Sequence, residues 1–388
     1  MSAALAALLD HAAAPPGGAA PRHPAAEDAP GVLPARTDAA APVAGYVGAD
    51  VPVELLTAAW MLPVRLAGSP AEDAELGRGY LGGGLDPVAC SVLTRLLDGA
   101  YGRLDALVVS RDCEASLRLF YVLRELRRVE PEVPIPPLQL VDVLHLPHRT
   151  TTRYVLAKVR EFRAWLGELT GDPISDDAFA AAVAAHDRVR GLLRRVGDLR
   201  GPGQRRLTGT EALGVVRAAN SLPVDRAENL LRDLLAELRT REPRTGHPIH
   251  LTGSSHDSPE VYEALEGAGL LVVGEDHDRG DLLSAHDVGA PTELAVAERY
   301  QFAGPAAPRA SIRDRAAHTR AAVRDRGAEG LLSYVRRYDD APPWDFPAQR
   351  AAVDVPSAIV ERQPYGEIDP RELDRALAEL RAPAEVTR

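Results

Sequence analysis

The stretch LDALVVSRDCEASLRLFYVLRELRR, residues 104–128, decides the fold class of this chain. Residues 104–110 form a mainly apolar run, as expected for a parallel strand that is covered on both faces. In residues 114–128, Leu119, Val122, Leu123 and Leu126 recur at the spacing of a buried helix face. A buried strand that leads directly into an amphipathic helix predicts an α/β domain.

The same alternation continues on both sides of this stretch. Before it, Pro52 opens a helix, a short strand covers residues 63–66, and Asp86-Pro87 begins a capped helix. After it, strands at residues 249–252, 270–273, 331–335 and 357–360 alternate with helices, the last of which begins at Asp369-Pro370.

Residues 150–241 have helical periodicity only, with a capping box at Thr208 and Glu211. We therefore predict a first α/β domain at 44–148, a helical subdomain at 149–245 and a second α/β domain at 246–388. Residues 1–43 are rich in Ala and Pro, and we expect a disordered tail with one short helix near Ala4 to Leu9.

Composition limits the possible functions. The net charge of −11 argues against nucleic acid as a partner, because phosphate binding needs a basic surface. No apolar run approaches the roughly 20 residues of a membrane span, so no membrane partner is expected. The N-terminus does not have the pattern of a secretory signal, and two cysteines do not make a disulfide framework. We expect a cytoplasmic protein.

The two cysteines, Cys90 and Cys113, both lie at predicted helix starts. A helix N-terminus favours a thiolate or an anionic cluster, and Cys113 also follows a strand, where α/β sheets bind ligands. The alternative is that each cysteine is a small buried side chain of the core. Two thiolates are too few for an iron–sulfur cluster, which usually takes four protein ligands.

Two further segments contain possible metal ligands. The loop at residues 274–281, GEDHDRGD, follows a predicted strand and is either a metal or phosphate site or a solvated turn. His145 and His148 are three residues apart, but no third zinc ligand is evident near them.

Several segments together resemble the 2-hydroxyacyl-CoA dehydratase and benzoyl-CoA reductase subunit family, from about Gly45 to the C-terminus. They are VPVELLTAAWMLPVRL at 51–66, Cys90-Ser91, Cys113-Glu114, Leu146-Pro147-His148 and LLVVGED at 270–276. The resemblance implies two flavodoxin-like (Rossmann-like) parallel-sheet domains with a helical insertion, and a heterodimer with a paralogous subunit.

The resemblance also implies a function. Family members typically hold a [4Fe–4S] cluster by three cysteines, and an ATP-dependent activator protein supplies one electron. The acyl-CoA substrate then loses water through a ketyl radical. By this resemblance Cys90 and Cys113 are metal ligands, and Glu54 and Ser91 lie near the substrate as catalytic residues. For Glu54 the alternative is an acid that stabilises the first turn of a helix.

The chain departs from the family where the third cysteine is expected, because Asp339 stands there. Three interpretations are open. Asp339 ligates iron through oxygen, although a carboxylate suits an iron–sulfur core less well than a thiolate. A water, a partner residue or the substrate takes the third place. Or the cluster is lost, and the chain is a non-catalytic partner subunit or an acyl-CoA binding protein.

Overall fold

The computed structural model describes residues 2–14, 41–307 and 309–382. Within these residues the strands form two parallel sheets of four strands each. The strands are β1 (Val43–Val47), β2 (Leu62–Arg65), β3 (Ala106–Ser110), β4 (Leu138–Val141), β5 (His247–Gly253), β6 (Leu270–Glu275), β7 (Gly330–Arg336) and β8 (Ser357–Gln363). The sheet orders are β2-β1-β3-β4 and β6-β5-β7-β8, so both repeat one connection pattern, that of flavodoxin-like sheets. The predicted α/β fold is confirmed.

Helices connect and cover these strands. They are α1 (Ala3–Ala13), α2 (Val53–Ala58), α3 (Glu75–Leu81), α4 (Pro87–Leu97), α5 (Glu114–Val129), α6 (Arg149–Thr170), α7 (Asp176–Asp198), α8 (Gly209–Ala219), α9 (Val224–Leu238), α10 (Glu260–Gly267), α11 (Glu293–Gln301), α12 (Ile312–Arg326), α13 (Ala341–Ala352) and α14 (Pro370–Arg381). Three of their starts follow the sequence signals: Asp86 caps α4, Thr208 and Glu211 form the capping box of α8, and Asp369 caps α14.

The first sheet is buried on both faces because its strand residues alternate between two apolar clusters. Leu107 and Val109 of β3 belong to a cluster with Leu119 and Leu123 of α5. Val108 belongs to the opposite cluster, which contains side chains of α6 and α7. Helices α6 and α7 of the helical segment therefore cover one face of the first sheet.

The N-terminal helix α1 is longer than predicted and is part of the core. Leu5 and Leu8 are fully buried among apolar side chains of α7, α8 and α9, such as Leu234. The short helix expected near Ala4 to Leu9 is therefore present, and burial of the two leucines stabilises its docked position. The rest of that prediction, residues 15–40, lies outside the described residues.

Strands β1 and β4 and helices α3, α11 and α13 are not predicted by the sequence patterns. Strand β4 has only four residues and lies at a sheet edge next to Pro136-Pro137, so it lacks a periodic signal. Helix α13 contains three prolines, which ordinarily argue against a helix, although two of them lie in its first turn, where proline is tolerated. None of the helices in the described ranges has the length and apolar character needed to cross a lipid bilayer.

Candidate functional site

The loops at the carboxyl ends of the two sheets contact each other and form a polar junction. Arg65, at the end of β2, forms an ion pair with Asp278 in the loop after β6. The Gly68 N–H donates to Asp257 Oδ2 at 2.8 Å. Ligands bind beyond the carboxyl ends of the strands in open α/β sheets, so this junction is the candidate site.

Cys90 lies in α4 as a core residue. Its side chain is only 2% exposed and belongs to the apolar cluster of the first sheet. Burial raises the pKa of the Cys90 thiol; the charge of Arg78 opposes this rise, and the carboxylate of Asp86 adds to it. The structure places Cys90 where the alternative interpretation predicted it.

Cys113 is the N-cap of α5. Its Sγ accepts a hydrogen bond from the Ser116 N–H at 3.5 Å and lies 3.3 Å from Ser116 Oγ. The residue is exposed at the rim of a pocket of about 370 Å³, which His145 and Arg309 also line. Desolvation within this recess, and then the charge of Asp112, raise the pKa of the thiol. The surroundings therefore favour a thiol and not a thiolate.

Asp339 lies in the turn after β7, and its side chain is hydrogen-bonded to another residue of the chain. Its Oδ2 accepts a hydrogen bond from Ser254 Oγ at 2.6 Å. Burial raises the pKa of the Asp339 carboxyl, while Arg336 and the Ser254 bond lower it.

An ion pair that the sequence reasoning missed lies next to these three candidate ligands. Arg336, at the end of β7, donates to Asp86 at the start of α4, with Nη2–Oδ2 at 2.8 Å and Nε–Oδ1 at 3.3 Å. Asp86 begins the helix that carries Cys90, and Arg336 lies three residues before Asp339. The charge of Asp86 also adds to burial, the larger cause, in raising the pKa of Cys90, Cys113 and Asp339. The sequence identifies Asp86 as a helix cap, but nothing in it links Asp86 to Arg336, 250 residues further along.

The residues present do not fit a [4Fe–4S] cluster held by this chain alone. A cluster usually takes four protein ligands, whereas the chain has two cysteines and Asp339 is hydrogen-bonded to Ser254. Among the described residues, no three or more His, Cys, Asp or Glu side chains form a group that could hold a metal ion. The assignment of Cys90, Cys113 and Asp339 as ligands stays a prediction.

Glu54 and Ser91 are both engaged in contacts within the protein. Glu54 is fully buried, forms an ion pair with Arg190 and accepts a hydrogen bond from Tyr300 Oη at 3.0 Å. Ser91 Oγ accepts from the Ser69 N–H at 2.9 Å. Glu54 thus joins α2 to α7 and α11, while Ser91 fixes the loop after β2, and their proposed catalytic roles stay predictions.

The loop after β6 is neither a solvated turn nor an assembled metal site. Glu275 forms a buried ion pair with Arg200, at 2.5 Å between Oε2 and Nη2, and Asp278 forms one with Arg65. His277 Nε2 lies 2.8 Å from Tyr262 Oη. The carboxylates of this loop are therefore neutralised by arginines from other elements, which a local sequence pattern does not reveal.

The two histidines noted in the sequence do not come together. His145 Nε2 lies 2.9 Å from Asp50 Oδ2, and its Nδ1 lies 3.0 Å from the Gln301 carbonyl. His148 is exposed just before α6. A shared zinc site is not formed.

Comparison with known proteins shows which of them this chain is similar to. The beta subunit of (R)-2-hydroxyglutaryl-CoA dehydratase from Acidaminococcus fermentans is 23% identical over 78% of this chain and 82% of its own length. The beta subunit of lactoyl-CoA dehydratase from Anaerotignum propionicum is 21% identical over 76% and 79%. A benzoyl-CoA reductase subunit from Thauera aromatica is 27% identical, but over only 32% of this chain and 33% of its own.

Two parallel four-stranded sheets whose carboxyl ends meet define a two-sheet α/β protein with its candidate site at the junction. The family model for "2-hydroxyglutaryl-CoA dehydratase, D-component" matches residues 49–363. The chain belongs to this family, and the resemblance predicted from the sequence is confirmed.

Proposed function

We propose that this chain is a subunit of a 2-hydroxyacyl-CoA dehydratase-type enzyme and that it holds no cluster of its own. The family membership supports the enzyme type, and the relatives over most of the chain are named as beta subunits of dehydratases. The ion pair between Asp86 and Arg336 supports the absence of a cluster, because Asp86 caps the helix that carries Cys90 and Arg336 lies three residues before Asp339.

The pair opposes cluster binding in two ways. Burial raises the pKa of both cysteine thiols, and the carboxylate of Asp86 adds a smaller increase, so the free thiolates are disfavoured before any iron binds. The guanidinium of Arg336 joins α4 to β7, so the start of the helix carrying Cys90 is held against the second sheet without a metal. In this proposal the [4Fe–4S] cluster, and the electron delivered by an ATP-dependent activator, belong to a paralogous partner subunit.

The pocket beside Cys113 is the place we propose for contact with the acyl-CoA substrate. Its volume of about 370 Å³ lies within the range of small-molecule sites, roughly 300 to 1,000 Å³. Its lining contains two arginines, Arg111 and Arg309, which we propose as the partners of the phosphates of coenzyme A, and two carboxylates, Asp112 and Glu114.

The test is anaerobic co-expression with a paralogous subunit, separation of the two chains, and iron and sulfide analysis with electron paramagnetic resonance on each. We expect iron on the partner and none on this chain. We also expect Asp339→Cys alone to bring no iron, because Asp86 and Arg336 remain. Cys113→Ser is the matched control, since it removes a thiol without disturbing that ion pair.

Stoichiometric iron on the isolated wild-type chain, lost in Cys113→Ser, would overturn the clusterless role and favour a cluster with Asp339 as its third ligand. Iron on neither chain, together with no dehydratase activity of the assembled complex, would remove the proposed enzyme type.

A further inference from the structure

A second cavity, separate from Cys113 and its pocket, lies between the first sheet, α7 and α11. Its volume is about 60 Å³. Since one buried water needs about 10 to 15 Å³ on this measure, the cavity has room for a group of roughly four to six non-hydrogen atoms. Its polar walls are made by Tyr46, Arg65, His186, Arg190, Asn220, Arg299 and Tyr300.

The charged side chains around this cavity are all basic. Three arginines line it, and none of the described residues in its lining is Asp or Glu. The carboxylates that neutralise two of these arginines lie outside the lining: Asp278 pairs with Arg65, and Glu54 pairs with Arg190.

Two of these arginines have incomplete hydrogen bonding, because the Nε of Arg65 and the Nε of Arg299 are each buried without a partner among the described residues. Arg65 is paired with Asp278, whereas Arg299 forms no ion pair within the described residues. Its Nη2 donates to the Leu283 carbonyl at 2.9 Å, and the guanidinium lies 4.5 Å from the centre of the Tyr300 ring. Its Nε is buried and has no hydrogen-bond partner among the described residues. A buried charged donor without a partner destabilises the folded chain, so the position favours an acceptor that is not part of the chain.

We propose that this cavity binds the oxyanion group of a small molecule, a carboxylate or a phosphate, held by Arg299 with Tyr46 and Asn220. Planar guanidinium groups bind both kinds of oxyanion through paired hydrogen bonds. The two sources share this chemistry, and the size of the cavity admits either an acetate-like group or a phosphate. The inference does not depend on the proposed subunit role, because none of its residues is a candidate cluster ligand.

His186 provides an internal reporter for binding. It lines the cavity, and its Nε2 lies 2.8 Å from Thr57 Oγ1. Burial, and then the charge of Arg299, lower the pKa of His186 to about 4. An anion in the cavity would offset the charge of Arg299, so the pKa of His186 should rise when the site is filled.

The experiment measures binding of acetate, malonate, phosphate and sulfate to the full chain by calorimetry, at constant ionic strength maintained with chloride. The ring signals of His186 are followed by NMR over a pH titration, with and without each anion. We expect saturable binding and an upward shift of the His186 titration. Preference for acetate and malonate assigns a carboxylate ligand, and preference for phosphate assigns a phosphate ligand.

Arg299→Met should weaken binding at least tenfold and abolish the shift of His186. Arg299→Lys keeps the positive charge and replaces Arg299→Met as the test variant if the methionine variant does not fold. It should bind the anions more weakly than wild type, because lysine lacks the paired donors of a guanidinium group. Arg118→Met, at an exposed position of α5, is the matched control and should bind like wild type. Binding that is unchanged in both Arg299 variants, or no saturable binding at all, overturns the proposal.

Discussion

The two sheets share one strand order but differ in what they bury. Apolar clusters cover both faces of each sheet, and β3 of the first sheet has the fully buried sequence ALVVS. The second sheet buries a polar network: Asp276 on the loop that leaves β6 accepts hydrogen bonds from Thr252 at 2.9 Å and Thr319 at 3.2 Å, and lies close to Arg315.

One topology can therefore be stabilised by apolar packing alone or by apolar packing together with a buried polar network. Apolar packing is insensitive to pH and tolerates small changes in shape at modest cost. A buried polar network is stable only when every charge has a partner, and removal of one partner leaves the other without compensation. Single polar substitutions should therefore have their largest effects around the second sheet.

The largest effect is expected for Arg200→Met. Arg200 is fully buried and donates to both oxygens of Glu275, at 2.9 and 2.5 Å, and to the Val272 carbonyl at 3.0 Å. The substitution leaves a buried carboxylate without a partner, so we expect a loss of about 3–5 kcal/mol in the free energy of unfolding.

Urea unfolding of Arg200→Met and of Arg118→Met measures this contrast. Arg118 forms an exposed pair with Glu114 at 2.8 Å beside the first sheet, and its loss should cost no more than about 0.5 kcal/mol. Equal losses in the two variants would refute the claim that the second sheet depends on buried ion pairs.

A smaller loss is expected where the two sheets meet. Arg336→Met leaves Asp86 without its partner, but Asp86 is partly exposed, so we expect a loss of about 2–3 kcal/mol. Asp86→Asn combined with Arg336→Met should be more stable than Arg336→Met alone, because asparagine keeps the helix cap and carries no charge. Additive effects of the two substitutions in urea unfolding would mean that the pair has no coupling.

The sequence predicted β2 and β3 of the first sheet and all four strands of the second, because the signals for these elements are local. Apolar runs, the Asp86 cap and the Thr208–Glu211 box each lie within a few residues of the element they predict. The resemblance to the family also came from short segments, and the match over residues 49–363 confirmed it.

The content of the junction could not be predicted, because it consists of pairs that are distant in sequence. Glu275 has its partner 75 residues earlier, and Asp278 has its partner Arg65 on the other sheet. From sequence alone, the acidic loop after β6 has the pattern of a solvated turn or a metal site. Only the structure shows that Arg65 and Arg200 pair with its carboxylates. Cys90 shows the same limit, since its place in the apolar core depends on packing against α5.

Each buried histidine of the second sheet is expected to contribute up to about 1.4 kcal/mol per pH unit to the pH dependence of stability. His256 contacts the rings of His277 and Tyr334, and burial lowers the pKa of both His256 and His277. The unfolded chain, with an ordinary histidine pKa of about 6.5, then binds more protons than the folded chain as the pH falls. Stability should be complete above a pH of about 6.5 and should decline below it.

His256→Gln should make this decline shallower by about 1.4 kcal/mol for each pH unit between about 6.5 and 5.5. Urea unfolding at several pH values gives the free energy of unfolding of wild type and variant as a function of pH. Their difference at a pH of about 8, where histidine is neutral, measures the effect of the substitution on packing alone. Parallel slopes for wild type and variant would exclude His256 as a source of acid sensitivity.

The smallest effect is expected at Cys113 of the first sheet, and comparison with Cys90 separates a structural from a metal-binding role. Cys113 caps α5 through a sulfur acceptor at 3.5 Å from the Ser116 N–H, which is a weak cap, so Cys113→Ser should stabilise the chain by up to about 1 kcal/mol. Cys90→Ser places a hydroxyl in an apolar cluster and should instead destabilise it by about 1–3 kcal/mol. Thermal unfolding with and without iron tests this contrast. If both serine variants lose stability equally, and only when iron is present, the two cysteines act together as metal ligands. The contrast between the two sheets then no longer explains the junction.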